Sequence, residues 1–321
     1  MNDTATVTAI YQGDADLRDQ VKGVMAREKR LSQVIVAKES GISPATLNQW
    51  LAGKYAGDNE GIDAKLRLWL EADQARRAAG GAMPVAPGYV NTPTSARVLG
   101  ALAYAQMAGD IAVSYGSAGV GKTTSCQHYR ASSPNVWIAT MDPSTSGVVT
   151  CLQEICDALG LDTGGGARAM AKRLEKRVRD THGLLIIDEA QHLSVQALDQ
   201  VRALHDATGV GIALVGNEGV FARMAGGRNA SQLDRLYSRV GKRLRLQQSS
   251  EADIVAVIKA WGITDSKCHP TLISIARGPG ALRTLTKTLR LASMYAVAEG
   301  RTVCCEDVRA AATELMAGGE K

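Results

Sequence analysis

Residues 116–123 read Gly-Ser-Ala-Gly-Val-Gly-Lys-Thr, and no other stretch of the chain restricts the fold as much. Three glycines within six positions open left-handed backbone conformations, so consecutive N–H groups can turn toward one point. The run before it, Ile111–Tyr115, is short and apolar, as a buried strand requires. The run after it, from Thr124 through Arg130, has a helical pattern. Backbone donors between a strand and a helix N-terminus bind anions, and Gly-x-x-x-x-Gly-Lys-Thr in that setting is a phosphate loop. The expected nucleotide contacts are Gly116, Ser117, Ala118, Gly119, Val120, Gly121, Lys122, Thr123 and Thr124. Lys122 is expected at the β- and γ-phosphates of ATP. The Thr123 hydroxyl is expected at Mg²⁺.

A second motif supports the first. Gly183–Ile187 is an apolar run that ends in Asp188 and Glu189. An acid at a strand end beside a phosphate loop is placed to hold Mg²⁺ through its water shell, which is the role expected of Asp188. Glu189 is placed to orient and deprotonate the attacking water as a general base. His192, three residues on, reads as a helix-start residue. Asn217 follows the next apolar run, Ile212–Val215, and is expected beside the γ-phosphate; a turn or cap role is its alternative.

Short β-branched runs at Ile111–Tyr115, Val136–Met141, Leu184–Ile187, Ile212–Val215 and Arg243–Leu246 alternate with helical patterns such as Val148–Leu159 and Ala167–Val178. Alternation of this kind implies a parallel sheet covered on both faces. The expected class is therefore α/β, with helical segments on either side. Residues 1–77 form a helix-turn-helix domain, 78–95 a linker rich in Gly, Pro and Ala, 96–248 the ATPase core, and 249–321 a helical lid. Six cysteines stand at 126, 151, 156, 268, 304 and 305, with no Cys-x-x-Cys pair and no zinc-type Cys/His spacing. Reduced thiols, no export signal and no apolar run of about 18 residues give a cytoplasmic protein without a membrane span.

Downstream of the core strands lies Leu233-Asp234-Arg235-Leu236-Tyr237-Ser238-Arg239-Val240-Gly241-Lys242-Arg243, and the lid carries Gly278-Pro279-Gly280 ahead of Arg283 on a helix. Phosphate loop, Asp-Glu pair, strand-end Asn, Arg-bearing segment and helical lid together resemble the AAA+ P-loop NTPases. That resemblance implies that Arg239 is a finger reaching the γ-phosphate of a neighbouring subunit, with Arg235 and Arg243 as rivals. It also implies that Arg283 senses nucleotide from its own subunit. A guanidinium suits both tasks because it neutralises charge on a transferring phosphoryl group. For both arginines a solvated surface role is the alternative. If Arg239 acts in trans, hydrolysis requires homo-oligomers, as rings or filaments.

Residues 31–51 read as helix-turn-helix. The first helix is expected to bury Val34 and Ala37, Gly41 supplies the turn, Ser43 caps the second helix and Pro44 takes its first position. Leu47 and Leu51 face the core. Ala45, Asn48, Gln49 and Thr46 face outward, where they could meet DNA. That face holds no Arg or Lys, so a protein-docking role stays open. A second DNA candidate is the arc of Arg168, Lys172, Lys176 and Arg179 on one helix, opposite Met170, Leu174 and Val178. The net charge of +5 is compatible with a polyanionic partner without establishing one.

The order of these modules, with GDNEGIDAKLRLWLE, LLIIDEAQHL, LVGNEGVF, RLYSRVGKR and PGALRTL, resembles the transposition B proteins of Mu-like transposable phages over nearly the whole chain. The resemblance implies an ATPase that polymerises on double-stranded DNA with little sequence preference and delivers it to a transposase. A helicase-loader ATPase and an ATP-binding transcriptional regulator are the alternatives.

Overall fold

The computed structural model describes residues 4–27, 31–82, 86–219 and 236–317, with backbone only for 4–15, 78–82 and 316–317. Arg235 therefore lies outside the described residues. The chain divides into two compact units, residues 1–84 and 85–321.

The first unit is helical: α1 (Thr4–Arg27), α2 (Gln33–Ser40), α3 (Pro44–Leu51) and α4 (Asn59–Ala82). Ser32 caps α2 by accepting from Ile35 N, Gly41 ends it in the left-handed region, and Ser43 caps α3 with Pro44 at its first turn. The core gathers Leu17, Val21, Val36, Ala37, Leu47, Trp50, Leu66 and Trp69. Val34 is not among them; it is 61% exposed. Residues two positions apart on a helix point about 200° apart, so turning Val36 inward turns Val34 out. The buried Trp50 indole donates to Asp63 Oδ1 at 2.8 Å, which meets the hydrogen-bond need of the ring at depth. Gly80 and Gly81 do not stop α4, which the alanines around them carry to Ala82. The next helix starts at Pro93, so both ends of the expected linker 78–95 are helical.

The second unit opens with α5 (Pro93–Ala108), then β1 (Ile111–Gly116), α6 (Lys122–Ser132), β2 (Val136–Thr140), α7 (Val148–Ala158), α8 (Gly166–Val178), β3 (Leu184–Asp188), α9 (Val195–Thr208), β4 (Gly211–Gly216) and β5 (Val240–Leu246). All five expected strands form, in the order β2-β3-β4-β1-β5, and each neighbouring pair is parallel. Alternate residues feed two cores. Ile111, Val113, Leu185, Ile187, Ile212 and Leu214 face the α7–α9 side. Ala112, Leu184, Ile186, Ala213 and Val215 face α5 and α6. Double burial explains why these strands read as continuous apolar runs. The edge strand β5 instead exposes Gly241, Arg243 and Arg245, half-covers Lys242 and buries Val240, Leu244 and Leu246.

The lid is α10 (Glu251–Ala260), α11 (His269–Arg277), α12 (Ala281–Ala298) and α13 (Cys305–Ala317), packed around Ile254, Ile258, Leu272, Leu285, Leu289 and Val308. Within it the free thiols of Cys268 and Cys305 lie 2.6 Å apart beside Asp265, a meeting that their sequence spacing did not suggest. Burial and the neighbouring thiol push the Cys268 thiol up to about 12.

Candidate active site

The phosphate loop is clamped from two sides. At Gly116 φ is +143°, and a Cβ there would sit 1.8 Å from the Leu246 carbonyl oxygen, so β5 lies against the loop's start. The Ser117 N–H donates to that same oxygen at 3.1 Å. At Gly119 φ is +77°, and a Cβ would sit 1.9 Å from the Gly280 carbonyl oxygen. Only glycine permits this approach, which brings the lid turn onto the loop. Gly121 begins α6 without a side-chain cap, leaving first-turn N–H groups for an anion.

Strand ends bring the charged groups together. The Thr123 hydroxyl donates to Asp188 Oδ2 at 2.8 Å. Lys122 Nζ donates to the carbonyls of Gly116 and Ser117 at 2.9 and 2.7 Å. Burial lowers the Lys122 pKa, Glu189 and Asp188 oppose that, and Arg283 adds to it. Burial likewise raises Asp188, against the hydrogen bond from Thr123. Both shifts have one physical cause: charges held out of water without full compensation.

Glu189 follows β3 in the left-handed region, at φ 53° and ψ 36°. Its Oε2 accepts from the side-chain amide of Gln191. The other end of that amide, Oε1, accepts from Asn217 N at 3.1 Å. Asn217 turns its own Oδ1 back to Gly219 N at 2.8 Å, so it serves the turn as well as lining the cavity. Sequence reasoning missed Gln191; an amide two residues past an expected base was the available signal.

Of these groups Gly119, Gly121, Lys122, Thr123, Glu189 and Asn217 line one end of a cavity of about 530 Å³, whereas Gly116, Ser117, Asp188 and Gln191 stand behind that wall. The rest is lined by Pro87, Gly88, Tyr89 and Val90 ahead of α5, by Val257 and Trp261 of α10, and by Leu282, Arg283, Thr286, Lys287 and Arg290 of α12. The loop end is rich in backbone donors, Tyr89, Val90, Val257 and Trp261 offer apolar faces that suit a planar base, and Arg283, Lys287 and Arg290 add positive charge. Tyr89 stacks on His128 with centroids 3.6 Å apart, and its hydroxyl donates to Ser95 Oγ at 2.9 Å. Residues 87–90 and Thr92, read from sequence as linker, are therefore part of the cavity wall.

The chain matches the family model described as Mu B transposition protein, C terminal, over residues 238–315, and an AAA domain model over residues 106–224. It is 36% identical over 302 residues to the ATP-dependent target DNA activator B of Escherichia phage Mu, covering 94% of this chain and 95% of that protein. It belongs to the Mu B transposition protein family. The Mu-like prophage FluMu DNA transposition protein B of Haemophilus influenzae is 37% identical over 266 residues, covering 81% of this chain and 91% of that one. A structure of Drosophila ORC bound to DNA shares the fold, with a TM-score of 0.50 at 16% identity. The match covers 72% of this chain and 63%, under two thirds, of that one. The chain is an AAA+ ATPase with a parallel sheet and a helical lid.

The remaining expected residues lie elsewhere on this Mu B family member. Arg239, immediately before β5, does not line the cavity; its Nε donates to Asp206 Oδ1 at 3.1 Å. Arg243 stacks its guanidinium over the Tyr237 ring at 3.8 Å and is likewise absent from the cavity wall. On α8, Arg168, Lys172, Lys176 and Arg179 are all exposed, and none forms an ion pair among the described residues. In the first unit Ala45, Asn48 and Gln49 are exposed, whereas Thr46 is half-buried with its hydroxyl 2.8 Å from Ser43 Oγ. No helix among the described residues is long and apolar enough to cross a membrane.

Proposed function

We propose that this chain assembles on double-stranded DNA in an ATP-dependent manner, with little regard to sequence, and presents that DNA to a transposase in the cytoplasm of a bacterial host. The carrying observation is a half-complete site. Lys122, Thr123, Asp188, Glu189, Asn217 and Arg283 surround or adjoin one cavity, while Arg239 stands outside it on the same subunit. A finger from a second copy completes such a site, so nucleotide binding and assembly become one event.

In this reading the loop amides and Lys122 hold the β- and γ-phosphates, and Arg283 ties the lid to them. The Thr123 hydroxyl and the Asp188 carboxylate fit Mg²⁺: they are hard oxygen donors 2.8 Å apart, and burial leaves Asp188 short of positive charge. When bound, Mg²⁺ neutralises charge that gathers on the phosphate oxygens. Glu189 takes a proton from water as the oxygen attacks the γ-phosphorus and the bond to the β-phosphate oxygen breaks, giving ADP and phosphate. Asn217 bounds the place of that water. Arg239 of a neighbouring copy meets the charge of the transferring group. ATP then acts as a control on assembly: bound, it joins copies on DNA; hydrolysed, it lets them part.

The unpaired arc on α8 suits a phosphate backbone, because charges without protein partners are the ones that exchange counterions for DNA. The outward face of α3 is a second candidate contact. Electron microscopy and pelleting with a duplex of arbitrary sequence test the proposal. Filaments or rings on DNA with ATP and their loss with ADP are expected. Equal retention in both nucleotides would overturn it.

A further inference from the structure

We propose that Gln191 is a positioning residue: one amide fixes the Glu189 carboxylate and couples it to the loop after β4. Its Nε2 donates to Glu189 Oε2, and its Oε1 accepts from Asn217 N at 3.1 Å. A side-chain amide has a donor and an acceptor at a fixed separation, and here both ends are used. The backbone beneath is equally determined. Glu189 N donates to Asp188 Oδ1 at 3.0 Å, and His192 N donates to Glu189 O at 3.0 Å, closing the short helical turn Ala190–His192. That turn holds Glu189 in the left-handed region, which a residue with a Cβ adopts only under constraint. With the backbone set, the remaining freedom of Glu189 lies in its side-chain torsions, and Gln191 removes it. One carboxylate oxygen is tied and the other is left to receive a proton. Because the far end of the amide rests on Asn217, a shift of the β4 loop moves the base. The bond to Asn217 is made with its backbone, so it survives changes of the Asn217 side chain.

This inference rests on Glu189 being the base, and the experiment separates the two. Steady-state ATP hydrolysis with saturating duplex DNA is measured for wild type, Gln191→Met, Gln191→Glu, Glu189→Gln and Glu189→Gln combined with Gln191→Met, alongside the Kd for a fluorescent ATP analogue. Met matches Gln in length and lacks both polar ends. Glu keeps an acceptor for Asn217 N and turns a negative charge on Glu189. Misplacing a catalytic group by about 1 Å costs up to about 100-fold, so both single variants should lose about 10- to 100-fold in kcat with Kd within about twofold of wild type. In the Glu189→Gln background the Met substitution should add nothing. Wild-type kcat in Gln191→Met or Gln191→Glu, beside an inactive Glu189→Gln, would overturn the positioning role alone. So would a loss carried only by Kd, or an equal further loss in the Glu189→Gln background. Normal turnover in Glu189→Gln would remove the base and the inference with it.

Discussion

Asp253 joins the lid to the core, and replacing it with Asn gives the sharpest test of that joint. The side chain is fully buried at 0% exposure. Its Oδ1 accepts from Thr94 N at 2.8 Å, and its Oδ2 accepts from the Thr94 hydroxyl, Ser250 N and the Ser250 hydroxyl at 2.7 Å each. One carboxylate thus sits in the first turn of both α5 and α10, where helix dipoles favour negative charge. An amide in its place must turn its NH₂ toward at least one of these donors. The milder orientation forfeits the Thr94 N–H bond and neutralises the other three. Hydrogen bonds to a charged group contribute about 1.5–3 kcal/mol, so a net loss of about 2–4 kcal/mol at neutral pH is expected. Hydrogen exchange by mass spectrometry reads this directly. If these amides open locally, those of 93–98 and 250–258 should exchange about 30- to 900-fold faster in Asp253→Asn, at 1.36 kcal/mol per factor of ten. Burial raises the Asp253 pKa, but the bonds from Thr94 and Ser250 outweigh it and the net value lies below the ordinary 3.8. A depressed folded pKa stabilises fully above the unfolded pKa and ceases to do so as pH falls through the folded one. The gap between wild type and variant should therefore narrow in acid. A change below about threefold at neutral pH, or an equal gap in acid and at neutral pH, would refute the reasoning.

Three further outcomes follow from the site. Glu189→Gln should keep ATP affinity, lower kcat by about 100-fold or more, and prolong residence on DNA; stopped-flow release from a labelled duplex checks the last. Arg239→Ala removes an exposed ion pair with Asp206 worth at most about 1 kcal/mol, so melting should barely move. Its turnover should nonetheless be lost and should return on mixing with a Lys122→Ala variant; failure of that rescue would return the finger to its own subunit. Lys172→Ala with Lys176→Ala should flatten the log–log salt dependence of DNA binding by about 1.8, at about 0.9 per phosphate contact. An unchanged slope would take DNA away from α8.

Much of the fold was legible because local rules and global packing agree. Each strand is buried on both faces, so its apolar run stands out, and all five appear where expected, with β5 longer by three residues at its start. The helix-turn-helix was equally plain, since Ser32, Gly41, Ser43 and Pro44 carry the caps and turn by themselves. Val34 was misplaced because Val34–Ala37 are four consecutive apolar residues, and an unbroken run does not set the phase of an eight-residue helix. Residues 87–90 and Thr92 were misread for a different reason. Gly and Pro mark a break in helix, but they do not say what the broken segment touches, and Tyr89 and Val90 line the cavity.

The sequence by itself determined the chemistry at the phosphate end: a glycine loop, a lysine, a hydroxyl and two acids at strand ends, each tied to its neighbour by one short local motif. Only the tertiary structure decided how those groups are held. The contact of Gly119 with Gly280, the bridge of Gln191 from Glu189 to Asn217, the anchoring of Thr94 by Asp253 and the meeting of Cys268 with Cys305 join different segments of chain. Such contacts depend on where turns and helices come to rest in space, and residue order carries no local signal of that. The same holds for Arg239. Its type was readable, but only the fold shows that it stands outside its own cavity, paired with Asp206.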